Sequence, residues 1–263
     1  MDKRNAQALS PNEQALNSNE RALSPFVALD SIHGTFIVNR YCKFQAEALV
    51  TTGRTHIEAE LDKLFLIVDR LSDGMVIIDG GANIGFVTIP LAQRIRHRQG
   101  KVISFEPQPM LFHALGGALA LNDLENVRLY QLGLGAAASK AALPAIDYHS
   151  PSDFGTVSLR PFADRQPDAE AVELIALDSL RLPRVDLIKL DVEGYEYEAL
   201  RGALGLIRSQ RPLLWVEYFL IGEARIREAL AEVPGYVFGI MDYQNMLCAP
   251  SEKLASMGLK IDP

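Results

Sequence analysis

From Met75 onward, short apolar runs alternate with helical stripes, and no other feature of the chain limits its fold as strongly. The runs at 75–79 (MVIID), 101–106 (KVISFE), 127–132 (VRLYQL), 185–191 (VDLIKLD), 213–218 (LLWVEY), 236–241 (YVFGIM) and 245–249 (NMLCA) have the length of strands and little polar alternation. Between most of them, apolar residues recur at helical spacing: Ile84, Val87, Leu91 and Ile95; Leu111, Ala114, Leu115 and Ala118; Leu200, Ala203, Leu204 and Ile207; Ile226, Ala229, Leu230 and Val233. A near-continuous apolar strand is covered on both faces, and a parallel neighbour needs a crossover element. The pattern therefore predicts an α/β chain with a Rossmann-like, doubly wound, mostly parallel sheet. Only DYQN separates the last two runs, too short for a crossover, so they are expected to form an antiparallel hairpin at one edge.

Three stretches stand apart from this rhythm. The N-terminus repeats a seven-residue unit, NAQALSP (5–11), NEQALNS (12–18) and NERALSP (19–25). Each copy has a single Ala-Leu pair, not an a/d seam, and Pro11 and Pro25 interrupt a helix, so residues 1–25 read as a disordered tail. Residues 26–74 form a lead-in: the runs FVAL and TFIV suggest strands, and Ile57, Leu61, Leu64, Phe65, Val68 and Leu71 mark one face of a helix ending near Ser72-Asp73-Gly74. The main domain, 75–263, is broken at about 136–176 by Pro, Ser and Asp with short β-like pieces, an insertion near the mouth of the sheet.

A hydrophobic content of 48% in 263 residues is enough for one sizeable core. The net charge of −7, with no long Lys/Arg block, argues against nucleic acid as a partner. Neither a secretory leader nor a membrane span is expected, because the first twenty-five residues are polar and no apolar run nears the length a bilayer needs. Cys42 and Cys248 lie far apart and read as reduced core thiols, which suits the cytoplasm.

Chemistry concentrates at the strand ends, where ligands bind in such sheets. In DGGANIG, Asp79, Gly81, Asn83 and Gly85 follow the first strand; glycines admit a ligand close to the backbone, and the next helix, expected to start near Ile84, offers unpaired N–H groups. The spacing is D-x-G-x-N-x-G, not the G-x-G-x-x-G of dinucleotide sites. Glu106 ends the second strand, 27 positions after Asp79, where a carboxylate can accept both hydroxyls of a ribose. Carboxylates here repel a pyrophosphate and tolerate a cationic sulfonium, which favours S-adenosylmethionine over NAD.

A second constellation is DLIKLDVEGYEYEALRGA, where Lys189, Asp191 and Glu193 share a strand face and Gly194 turns the chain. Buried ionised groups are costly unless paired or used, so Lys189 and Asp191 are either a structural pair or part of a site. Glu217, ending the next strand, points to the same mouth. Glu58 and Glu60 could face a cofactor from the lead-in helix, and Tyr195 and Tyr197 flank the mouth. Of the five histidines only His149, in DYHSPSDFG of the insertion, is a candidate base.

The ordered segments DGGANIGFVTIPLA, FEPQPMLFHAL, ALDSL, DLIKLDVEGYEYEALRGA and RPLLWVEY, over about residues 75–220, resemble the FkbM family of S-adenosylmethionine-dependent methyltransferases. The resemblance implies a class I methyltransferase fold and O-methylation of a hydroxyl on a sugar, glycan or secondary metabolite. It implies that Asp79, Gly81, Asn83 and Gly85 line the methionine side of the cofactor, that Glu106 holds its ribose, and that Asp191 lies near the transferred methyl. Gly80 stands where the family more usually has Ile or Val. Transfer to an alcohol needs a proton acceptor, for which Asp191, Glu193, Glu217 and His149 are candidates, and metal-free chemistry is expected. Two rivals are a nicotinamide-dependent oxidoreductase, opposed by the glycine spacing and the acidic mouth, and a cofactor-binding module without catalysis.

Overall fold

A computed structural model of the protein describes residues 10–17, 24–164 and 166–258. Helix α1 (Pro11–Asn17) precedes the hairpin β1 (Phe26–Ser31) and β2 (Gly34–Asn39), followed by α2 (Lys43–Thr52) and α3 (Glu58–Val68). The main sheet then begins with β3 (Val76–Gly80), α4 (Thr88–Ile95), β4 (Lys101–Phe105), α5 (Pro109–Leu121) and β5 (Val127–Tyr130). An insertion contributes β6 (Gly133–Leu134), β7 (Ser139–Leu143), β8 (Arg160–Pro161) and β9 (Glu170–Ile175). The chain returns through β10 (Leu187–Leu190), α6 (Glu196–Arg201), α7 (Leu204–Gln210), β11 (Leu213–Glu217), α8 (Glu223–Ala229), β12 (Tyr236–Ile240), β13 (Asn245–Pro250) and α9 (Ser251–Met257).

The seven-stranded sheet has the order β12-β13-β11-β10-β3-β4-β5. Its members pair in parallel except β13, which runs antiparallel to both β11 and β12. Counted along the chain from β3, the order is 3-2-1-4-5-7-6 read from the β5 edge. The chain reverses its direction of winding between β3 and β10, and the crevice between their carboxyl ends is where such sheets bind ligands.

Alternation along each strand divides the core in two. Ile77, Val102, Leu187, Leu213, Trp215, Leu247 and Ala249 pack on one face with residues of the lead-in hairpin, α2 to α5 and α9. Ile78, Phe105, Ile188, Leu214, Val216, Met246 and Cys248 pack on the other, under α6, α7 and α8. Both sets are essentially inaccessible to water, each Val, Leu, Ile, Met or Phe side chain contributing about 1.5–3 kcal/mol by burial. The lead-in shares this core: Leu29, Phe36, Val38, Leu49, Leu61 and Leu64 are fully buried within the first cluster.

The structure departs from the sequence reading in several places. Residues 11–17, read as part of a disordered tail, are helical, and Asn12 bonds main-chain Asp30 in both directions, at 2.8 and 3.1 Å; residues 1–9 and 18–23 of that tail lie outside the described residues. Helix α2 lies where only strands and turns were expected, its buried side limited to Gln45, Ala46 and Leu49. Helix α4 starts at Thr88, not Ile84, because positive φ at Asn83 (50°) and Gly85 (96°) coils the chain into turns first. The insertion is a separate four-stranded sheet of order β6-β9-β7-β8. Among the described residues no helix is long and apolar enough to cross a membrane.

Candidate active site

The turn after β3 is fixed from both sides. Gly81 and Ala82 donate main-chain hydrogen bonds to Phe105 O at 3.0 and 2.9 Å. Gly81 has φ +75°, and a Cβ there would lie 1.7 Å from Asp191 O, so only glycine fits this approach of two strand ends. Glu106 binds the turn to α5: Oε2 accepts the Asn83 N–H at 2.7 Å and Oε1 the Gln108 N–H at 2.8 Å. Burial pushes the Glu106 carboxyl up to about 7, against those two amides and Lys189. Each oxygen keeps a lone pair for a further donor.

Behind the turn lies a buried ionic cluster. Lys189, on β10, donates to Gly81 O at 3.1 Å and lies 3.4 Å from both Asp79 Oδ1 and Asp191 Oδ2. Burial alone would lower this ammonium, but Asp191, Asp79 and Glu60 outweigh it and hold it charged, above the usual lysine range. Asp79 Oδ2 accepts from Thr88 Oγ1 at 2.6 Å, and that hydroxyl sits 2.8 Å from Ser104 Oγ.

A cavity of about 610 Å³ opens over these groups. Its carboxylates outnumber its cations. Glu60 accepts the Trp215 indole N–H at 2.8 Å, and burial raises its carboxyl to about 7. Burial followed by the charge of Asp191 raises Glu193 and Glu217, each to about 8. Glu217 Oε1 accepts from Gln244 at 3.3 Å, while its buried Oε2 has no hydrogen-bond partner among the described residues. Lys63, on the same wall, is occupied by Asp242 at 2.7 Å and Met241 O at 2.9 Å. The rim is aromatic: Phe44, Phe219 and Tyr243 are exposed, with the Phe44 ring 4.5 Å from His56 and tilted 53° to it, and Phe219 edge-on to Tyr243 at 6.4 Å. The insertion supplies a roof, held by Gln108 Nε2 donating to Phe154 O at 2.9 Å, with Gly155 packed against Asn83.

Of the residues singled out in the sequence, Gly81, Asn83, Glu106, Lys189, Asp191, Glu193, Glu217, Glu60 and Tyr195 line this one cavity. Others do not. Asp79 is fully buried behind the wall and reaches the site through Lys189. Gly85 faces the core, where a Cβ would meet Leu115 at 2.4 Å. His149 is exposed and off the cavity lining, because Asp147 caps the turn through the His149 N–H at 3.0 Å while the neighbouring Tyr148 turns inward against Phe154. Glu58 pairs with His33 and Arg54, and Tyr197 with Glu228. Glu193 lies beyond the end of β10 with φ +53°, not on the strand. Gln108, Asp153, Lys63, Asp242 and Gln244 also line the cavity and carried no local signal, since tertiary packing alone brings them there.

This strand order, with a glycine turn after the first strand and an acid after the second, defines the class I methyltransferase fold. A family model of the methyltransferase FkbM domain matches residues 79–239, and the chain belongs to that family. Methyltransferase sdnD of Sordaria araneosa is 32% identical over 168 residues, covering 51% of this chain and 62% of that protein. Methyltransferase 1 of Beauveria bassiana is 28% identical over 165 residues, covering 56% and 65%. The chain thus matches less than two thirds of the length of either curated relative. The crystal structure of methyltransferase FkbM from Methylobacillus flagellatus KT is 19% identical, with a TM-score of 0.49 over 68% of this chain and 44% of that one.

Proposed function

We propose that the chain is an S-adenosylmethionine-dependent O-methyltransferase acting on a hydroxyl of a small molecule or glycan. The observation that carries this reading is the acidic lining of the cavity: Asp191, Glu60, Glu193 and Glu217 converge where Lys63 and Lys189 are already engaged, so an entering cation meets carboxyls that ionise toward it. Such a site attracts a cation and repels phosphates. The residues present fit the cofactor. The spare lone pairs of Glu106 suit two vicinal ribose hydroxyls, Phe105, Pro107, Leu132 and Leu134 give an apolar wall for an adenine, and the Gly81–Asn83 main chain borders the methionine end. When bound, the cofactor supplies an electrophilic methyl on a positively charged sulfur.

The chain's own part is mainly to position and to exclude water. Lys189, anchored on Gly81 O, fixes Asp191 at the mouth, and Asp79 acts through Lys189 as a positioning residue. The roof segment closes one side, and the aromatic rim offers an uncharged acceptor an apolar face. The relatives are named only as methyltransferases, so the hydroxyl acceptor rests on the uncharged rim and the acidic floor.

Calorimetric titration with S-adenosylmethionine, S-adenosylhomocysteine and NADH, for the wild type and Glu106→Ala, tests this reading. Binding of both sulfur ligands and not NADH, weakened in the variant, is expected. Binding of NADH alone, or of none, would overturn it.

A further inference from the structure

We propose that Glu217 takes the proton of the acceptor hydroxyl, and that it holds a proton itself until the positively charged cofactor enters the cavity. This rests on the methyltransferase reading and assigns a trigger to its base.

The argument starts from pairing. Asp191 is 3.4 Å from Lys189 and Glu60 holds the Trp215 N–H, so both already have partners. Glu217, only 9% exposed at the end of β11, has one weak donor at 3.3 Å and one buried oxygen with none among the described residues. A carboxylate so placed either carries a proton or waits for a donor. The charged groups around it are mostly of its own sign. From β10, the following loop and the start of α6 come Lys189, Asp191, Glu193 and Glu196; across the cavity stand Glu60 and the Lys63–Asp242 pair, with Asn245 opposite on β13. Burial and the neighbouring Asp191, Glu193 and Glu196 outweigh Lys189, so the group favours its neutral form near neutral pH. An opposite charge a few ångströms away lowers a carboxyl by about 1–3 on the pH scale, enough to reverse that preference.

The reaction then balances within the site. The acceptor oxygen bonds to the methyl carbon, the carbon–sulfur bond breaks with its electron pair left on sulfur, and the hydroxyl proton passes to Glu217. A cation and an anion become a neutral thioether and a neutral carboxyl. Glu217 returns to its starting form, and loss of the positive charge removes the reason to hold the product.

Proton release on binding tests this without a known acceptor. The two sulfur ligands share their ammonium, carboxylate and nucleoside and differ in the methyl and its charge. Calorimetry in buffers of different ionisation enthalpy at pH 7 should show up to about one more proton released per S-adenosylmethionine than per S-adenosylhomocysteine. The difference should fade at pH 5 and pH 9, vanish in Glu217→Gln, and persist in Glu193→Gln. Equal release for the two ligands in the wild type would overturn the proposal, as would a difference that survives Glu217→Gln. The wild-type comparison stands alone if a variant folds poorly. Binding of neither ligand would refute the methyltransferase reading itself, and the proposal with it.

Discussion

The tight approach of Gly81 to the Asp191 main chain can be tested with a matched pair of substitutions. Gly81→Ala and Gly53→Ala both force an L residue into the left-handed region, at φ +75° and +65°. At Gly53, which caps α2, an added Cβ meets nothing within 4 Å among the described residues, so only the backbone cost applies, about 1–2 kcal/mol. At Gly81 the Cβ lies 1.7 Å from Asp191 O and must retreat by at least about 1.3 Å to reach even 3.0 Å, which real Cβ atoms essentially never undercut. The obstacle is main chain, so the whole Asp191 segment has to move. Overpacking of this kind adds about 1–3 kcal/mol, giving a total of about 2–5 kcal/mol. Because about 1 kcal/mol lowers the melting temperature of a chain this long by about 2–4 °C, calorimetric melts separate the two variants. Displacing Gly81 O also takes away the Lys189 anchor, so titration with S-adenosylmethionine should show at least about tenfold weaker binding in Gly81→Ala and unchanged binding in Gly53→Ala. Equal melting losses, or unchanged cofactor affinity in Gly81→Ala, would refute the reasoning.

Other perturbations probe the same site. Glu60, Glu106, Glu193 and Glu217 all have folded-state values raised from about 4.5 to about 7 or 8. The stability they contribute is therefore fully present below about pH 4.5 and lost as pH rises toward 8, so melting of the ligand-free protein should fall steadily from pH 5 to pH 8; a flat or rising profile would contradict these assignments. Trp215 is the only tryptophan and donates to Glu60, so its fluorescence should titrate with a midpoint near pH 7 that disappears in Glu60→Gln. Glu106→Gln puts an amide NH₂ where two main-chain N–H groups need acceptors and should lower stability by about 1–3 kcal/mol, read from urea melts. Gln108→Ala releases Phe154 O, and limited proteolysis should then cut the roof between about residues 148 and 156 faster, with little change in global melting.

Where the sequence was legible, one physical cause accounts for it. Strands buried on both faces carry almost no polar residues, so β3, β4, β10, β11, β12 and β13 fall within two residues of the apolar runs, and an acid at the end of such a run stands out. Asp191, Glu106 and Glu217 were readable as cavity residues on that ground. Helix α2 was not, because only Gln45, Ala46 and Leu49 are buried on it and two of these are not strongly apolar. Asp79 and Gly85 share a motif with Gly81 and Asn83 but point away from the cavity: Asp79 still lies on β3 with its carboxylate turned to Thr88 and Lys189, and positive φ at Gly81, Asn83 and Gly85 coils the chain so that Gly85 faces Leu115. His149, the one histidine offered as a base, lies on an exposed loop off the lining, and such a loop shows no period from which its direction could be read. Gln108, Lys63 and Gln244 come from three distant stretches and meet only in the folded chain.

The position of β13 bears on how the molecule is made. It is translated after β12 yet sits between β12 and β11, and it lies beyond residue 239, where the family match ends. A nascent chain that has emerged as far as β12 has no neighbour for it on the growing sheet; that strand must wait until residues 245–250 clear the ribosome and slide in beside β11. The same late segment brings Gln244 to Glu217 and Asp242 to Lys63. Vectorial synthesis therefore completes this side of the cavity last, and until residues 242–250 emerge Glu217 and Lys63 lack the side chains that contact them in the folded chain.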